Sequence, residues 1–224
     1  MSIFDYILAV LPGLPVSLSL TFTALITAFL LSVLFTLILS LKPRVLTPLV
    51  KGYITLFTGT PLLVQFFLIY FGPAQFEGLK NYPLLWELMS SPWLCAMVTL
   101  ALNSAAYSTL LFYGAVKAIP QGQWQSCQAL GMSQKQTMRI ILPYAFKRAL
   151  SSYSNEVVLI FKSTSLATTI SLLEVMGYSR RLFGQDYDLN VFIAAGIIYL
   201  AVNSLLTLAM RLIERRALAF EHRN

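Results

Sequence analysis

Glu156 and Lys162 are the residues whose chemistry conflicts most with their surroundings in this 224-residue chain. Both fall in the apolar stretch 149–173, which is long enough to cross a membrane. Each costs roughly 2.5 to 3.5 kcal/mol at membrane depth, so each must face protein or water. Six residues apart, they would stand about 240° from one another round a helix and could not pair on it. Glu156 with Ser163 and Asn155 with Lys162 would instead share faces. Glu156 is therefore a candidate contact for a cationic or amino-bearing substrate, with a helix-packing role as the equal alternative. Lys162 is a candidate structural or gating partner for polar groups on another helix. The other reactive types do not assemble. His222 is the only histidine, so no Ser/His/Asp set exists, and no Gly-x4-Gly-Lys-[Ser/Thr] loop is present to hold a nucleotide. Cys95 and Cys127 fall in different zones of the chain and have no metal-ligand spacing, so neither a disulfide nor a metal site is expected. The chain is expected to be no enzyme and to need no cofactor.

Uncharged polar positions add to this path. Gly59-Thr60-Pro61 interrupts an apolar run, and proline there removes a backbone donor and frees carbonyls one turn back. A simple kink is the expected result, with a discontinuous helix at a binding site as the alternative. Thr60, Gln65 and Ser163 join Glu156 and Lys162 as candidates for the substrate path. Gln65 and Asn103 also suit bonds between helices, and Asn103-Ser104-Ala105-Ala106 suits close helix packing.

The longest polar interruption is segment 120–143, which holds Lys135 and Arg139 and no acidic residue. Pro120 can open a helix, Gly131 can close it in a left-handed turn, and Ser133 with Gln136 reads as a capping box that starts a second short helix. Trp124, Cys127 and Leu130 recur at the spacing of one helical face. Met138, Ile141 and Leu142 supply an apolar side to the second helix. A folded cationic element of this kind has something to dock; the alternative is a basic loop lying on anionic lipid.

These features sit in a chain that is 57% hydrophobic and only 11% charged, an apolar surplus that must face lipid. Runs 16–41, 52–75, 90–116 and 189–210 carry no charge, and with 149–173 they predict five membrane-spanning helices in one all-α domain covering 1–224. Residues 1–11 carry Asp5 and no basic residue, so no cleaved signal peptide is expected. Twelve lysines and arginines follow spans one, three and five, including Arg211, Arg215, Arg216 and Arg223, whereas only Lys80, Arg180 and Arg181 lie on the other side. By the positive-inside rule the N terminus is outside, and the C terminus and segment 120–143 are cytoplasmic. The loop 72–91, with Pro73, Pro83 and Trp86, is expected to cap the outer membrane interface. Nothing points to nucleic acid.

Residues along the whole length resemble the inner-membrane permeases of bacterial ABC importers, specifically the polar amino acid uptake family. Thr58-Gly-Thr-Pro-Leu-Leu-Val-Gln65, Leu102-Asn-Ser-Ala-Ala-Tyr107 and Asn155-Glu-Val-Val-Leu-Ile-Phe-Lys-Ser-Thr-Ser-Leu166 carry the likeness in order, with Ile213-Glu-Arg-Arg216 at the tail. Segment 120–143 lies where that family has a Glu-Ala-Ala-x3-Gly-x9-Ile-x-Leu-Pro coupling motif. Gly131, Leu142 and Pro143 match it, Gln125, Ser126 and Cys127 replace the Glu-Ala-Ala, and the interval to Pro143 is one residue shorter. Leu110 and Ser163 stand where the family usually has acids. The resemblance implies a MetI-like permease fold and a bacterial inner-membrane location. It implies docking through Trp124, Gln125, Ser126, Cys127, Leu130, Gly131, Lys135, Arg139 and Pro143 on a dimer of ATP-binding subunits. It further implies a second, different permease, a periplasmic substrate-binding protein, a lipid surround and an amino acid cargo. Arginine is the expected cargo, with histidine, glutamine or another polar amino acid as alternatives. The rival from another class is an ATPase-independent secondary transporter or channel using Glu156 and Lys162 as a relay; the short length and missing inverted repeat stand against it.

Overall fold

The computed structural model describes residues 2–218, and within them every regular element is helical. His222, the one histidine, and Arg223, counted above among the cytoplasmic cations, lie outside the described residues. The first helix, α1 (Ile3–Val10), starts in a capping box: Ser2 Oγ accepts from the Asp5 N–H and Asp5 accepts from the Ser2 N–H. A single tight turn, Leu11–Gly13, leads into α2 (Leu14–Leu41). The prolines at positions 12 and 15 sit in first turns, where a missing N–H has no intrahelical partner to lose. The first apolar helix therefore runs from Ile3 to Leu41, 39 residues, well upstream of the expected start at 16. Lys42, in left-handed backbone at φ 53°, ends it.

The second apolar stretch is a sharply bent pair, α3 (Leu46–Gly59) and α4 (Leu62–Phe71), with 107° between the axes. That is far beyond the simple kink expected from Pro61. Thr60 is forced into extended backbone (φ −117°, ψ 144°), because a residue preceding proline avoids the helical region, and Pro61 then starts a new helix in a new direction. Two tight turns and α5 (Pro83–Ser90) form the loop 72–91, and α6 (Pro92–Lys117) follows from a Ser91 cap. On α6, Ala96, Ala101, Ser104, Ala105 and Ala106 are all buried. Small side chains let neighbouring backbones approach closely, so α6 becomes the central post, touching α2, α3, α4 and α8.

After α7 (Gln121–Ala129), α8 runs from Gln134 to Ser163 without a break. The sequence places a short docking helix and a separate span 149–173 here; the structure joins the docking helix to the first part of that stretch, as far as Ser163, in one 30-residue helix. Pro143 lies inside it. It removes one hydrogen bond of the ladder, which the flanking turns and the buried Ile141, Leu142 and Ala145 outweigh. A tight helical stretch, Thr164–Ile170, then leads to α9 (Val175–Asp186), which is set at 48° to α8, and α10 (Asn190–Leu218) closes the bundle. Among the described residues, three helices are long and apolar enough to cross a membrane unaided, and counting each bent pair as one crossing gives five.

Candidate functional site

The docking element is built by local rules. Gly131 N–H donates to Gln128 O at 2.9 Å and Met132 N–H to Cys127 O at 3.1 Å, the paired bonds of a Schellman end, with Gly131 at φ +70°. Ser133 then caps α8, with Ser133 N–H donating to Gln136 Oε1 at 2.8 Å and Gln136 N–H to Ser133 Oγ at 3.4 Å. The two helices are thus locked at a fixed angle by backbone bonds at the end of the first and side-chain caps at the start of the second.

Side chains divide this element into two faces. Cys127 is 8% exposed and Trp124 half-buried, and Trp124 packs on a cluster of Val116, Ile119, Ile141 and Leu142. Ser40, Trp124, Met132 and Met138 line a cleft of about 140 Å³ between α2 and the element. These residues hold α7 to the bundle. Leu130 departs from the expected shared face with Trp124 and Cys127: α7 stops at Ala129, Leu130 has left the helix, and it is 74% exposed. Gln125, Ser126, Gly131, Lys135, Arg139 and Pro143 are exposed with it. The outward face is therefore polar and cationic around one apolar tip.

Deeper in the bundle, the break at Thr60-Pro61 leaves backbone carbonyls without helical partners, and a small polar cluster meets them. Gln65 Nε2 donates to Phe57 O at 2.9 Å and to Thr60 O at 3.1 Å and Oγ1 at 2.9 Å. Asn103 Nδ2 donates to Gln65 Oε1 at 3.0 Å and to Phe57 O at 3.2 Å. Tyr53 adds a hydroxyl bond to the Leu102 carbonyl, and Tyr107 one to Thr58 O at 3.5 Å. Thr60 and Gln65 are thus brought together, with Gln65 only 5% exposed and its amide occupied. The interhelical role of Gln65 and Asn103 is what the geometry displays.

Glu156 lies elsewhere. It is 8% exposed and lies beside Ser104 of α6, whose hydroxyl is buried without a hydrogen-bond partner. Ser108, one turn further along α6, has a buried hydroxyl without a partner. Lys162 points away from this acid. It is exposed and borders a cavity of about 370 Å³ with Ser165, Met176, Tyr199 and Asn203, where the side-chain Oδ1 of Asn203 is buried and unpartnered. Ser163, half-exposed, ends α8. The five candidates for the substrate path therefore fall into three places: Thr60 with Gln65, Glu156 against α6, and Lys162 with Ser163 at the end of α8.

Glu174, just past the apolar stretch 149–173, is fully buried. It caps α9 through the Gly177 N–H at 2.8 Å and accepts from Tyr199 at 2.8 Å and Ser17 at 3.3 Å. Gly13 makes room for it, since a Cβ there would lie 2.5 Å from the Glu174 carbonyl carbon. An acid placed one residue before a helix is a capping signal; its burial depends on Ser17 and Tyr199, far away in sequence.

Comparison with known proteins gives a consistent picture. Residues 28–218 match the family of the binding-protein-dependent transport system inner membrane component. The chain is 68% identical to the arginine ABC transporter permease protein ArtM of Escherichia coli (strain K12), over 99% of this chain and 100% of that protein. It superposes on a chain of the crystal structure of an amino acid ABC transporter with histidines at a TM-score of 0.82 and 25% identity, covering 95% of this chain and 96% of that one. A chain from inward-facing conformations of the MetNI methionine ABC transporter gives 0.78 at 15% identity, over 97% and 99%, a likeness of fold.

Proposed function

The chain belongs to the binding-protein-dependent transport system inner membrane components, and from that membership we propose that it is the membrane-crossing permease subunit of an ATP-driven importer for L-arginine. The near full-length 68% identity to an arginine permease is the observation that carries this reading. The exposed face around Leu130, Lys135 and Arg139 is the docking surface for an ATP-binding subunit dimer. Trp124 and Cys127 brace that surface from behind.

Lys162 argues for a further subunit. It lies at the end of a membrane-crossing helix, is exposed in the single chain, and its side-chain ammonium has no hydrogen-bond partner among the described residues. A lysine at that depth cannot face lipid without cost, so a second permease and the watery path between the two would cover it. That second permease is a different chain, and a periplasmic binding protein delivers the amino acid at the end of the bundle away from the docking element. The N terminus is periplasmic and the C terminus cytoplasmic. When the ATP-binding subunits close, they move the start of α8, and because α8 continues unbroken to Ser163, the bundle rocks as a body between inward-open and outward-open forms. Glu156 is the acid available to a guanidinium on that path. Leu110 and Ser163 are neutral, so the partner permease supplies the remaining charge for the cargo.

The test is uptake by the whole assembly. Cells lacking their own arginine uptake and expressing this chain with its neighbouring subunits should accumulate labelled arginine in preference to histidine or glutamine, and depletion of ATP should stop it. Pull-down should recover an ATP-binding subunit and a second permease. Accumulation that is unaffected by loss of ATP, or that favours another amino acid, would overturn the assignment.

A further inference from the structure

Helices α2, α8 and α10 leave a furrow of about 390 Å³ that opens sideways on the flank of the bundle. Ile26 and Leu30 of α2 form one wall, Met210 and Ile213 of α10 the other, and the floor is Tyr153 and Val157 of α8. Floor and walls are apolar. The floor cannot sink to fill the space, because Tyr153 is wedged against Phe112 and Phe29, with ring centroids 5.3 and 6.1 Å apart. Phe112 and Phe29 are themselves stacked edge-on at 5.9 Å. A close-packed aromatic layer of this kind does not rearrange to close a gap above it.

Charge is distributed unevenly along the furrow. All three bounding helices carry cations at the same end of the bundle: Lys42 after α2, Arg148 on α8 before Tyr153, and Arg211, Arg215 and Arg216 on α10 around and beyond Ile213. Arg216 follows Ile213 by three residues, the spacing of helical neighbours, and is exposed. At the opposite end α10 is preceded by Asp186 and Asp188. An occupant must therefore be apolar along its length and anionic at the basic end.

We propose that the furrow seats one acyl chain of an anionic phospholipid from the leaflet at the basic end, with its phosphate at Arg216. Charge separates a lipid from an apolar protein helix. The cations at one end of the furrow call for an anionic group there, which a phospholipid carries beside its hydrocarbon chains and an apolar membrane helix does not. Contact with lipid tails alone would confer no preference, since tails are as apolar as the leucines they touch. The concave aromatic floor fixes the tail, and the arginine selects the headgroup. A basic side chain at a membrane surface favours an anionic lipid by about five-fold.

The experiment reads lipid binding and not uptake, so its failure is separable from failure of the transport assignment. The intact detergent-purified complex is titrated with dioleoyl phosphatidylglycerol or dioleoyl phosphatidylcholine and examined by native mass spectrometry. Phosphatidylglycerol should be retained about five-fold better. Ile213→Trp, which fills the furrow, should lower retention of both lipids, and Arg216→Gln should abolish the preference while leaving tail binding intact. Leu205→Trp, at an exposed α10 position outside the furrow, is the control and should change neither. Equal retention of the two lipids by the unaltered complex, or unchanged retention in Ile213→Trp, would overturn the proposal. So would a photoreactive residue at Ile26 that attaches to another subunit and not to lipid.

Discussion

A carboxylate that is 8% exposed in the middle of a bundle can serve the cargo or the packing, and Glu156 is placed where the two roles separate cleanly. Its neighbour Ser104 offers one hydroxyl, and the nearest turn of α6 offers a second at Ser108. Exchange for glutamine keeps size and hydrogen bonding while removing charge. If Glu156 meets a guanidinium, Glu156→Gln should reduce arginine uptake by about 10- to 100-fold, the value of a hydrogen bond to a charged group, and should affect a neutral amino acid much less. Uptake of labelled arginine and glutamine by the same preparation, with complex yield measured alongside, checks this; equal losses with poor assembly assign Glu156 to packing. Glu174 presents the contrasting case. Three donors converge on it from α2, α9 and α10, and Glu174→Ala would leave them buried and unmet. The expected loss is about 3 kcal/mol or more of stability, seen as a lower unfolding temperature of the purified complex with every cargo affected alike.

Among the elements, the junction between α7 and α8 concentrates the most geometry in the fewest residues. Gly131 holds φ +70°, where a β-branched residue is strained by about 1 to 3 kcal/mol, and no side-chain crowding complicates the substitution because nothing lies within 4 Å of a Cβ built there. Gly131→Val should leave membrane insertion intact and misalign the exposed face around Leu130 and Lys135. Co-purification of the ATP-binding subunit should fall with transport, and normal values of both would remove this junction from the coupling path. The junction was readable in advance, since Gly131, Ser133 and Gln136 act through bonds three to five residues away. The break at Pro61 was only half readable. A proline announces a disturbance, but its size depends on Gln65 and Asn103, which supply donors from a later turn and from another helix. Pro143 misled in the opposite direction, suggesting a boundary in a helix that tertiary burial carries straight through. The burial of Glu174 has no local signal, because its partners lie 157 residues back at Ser17 and 25 ahead at Tyr199.

At the scale of the whole molecule, the bundle has a basic end and an end with few cations, and the proposed orientation puts the basic end in the cytoplasm. Single cysteines replacing Lys80 and Lys135 should therefore differ: an impermeant thiol reagent added outside intact cells should label position 80 and spare position 135. Labelling at 135 from outside would reverse or abolish the five-crossing arrangement. The same architecture constrains timing. Between Gln134 and Glu156 lies a strut of about 33 Å, at 1.5 Å per residue, with Pro143 as its one weakened joint. A tilt of 10° at one end displaces the other by about 6 Å over that length. A member so stiff has little compliance in which to bank a half-finished stroke, so the ATP cycle and the membrane gate would run in phase, without lag or slippage between them.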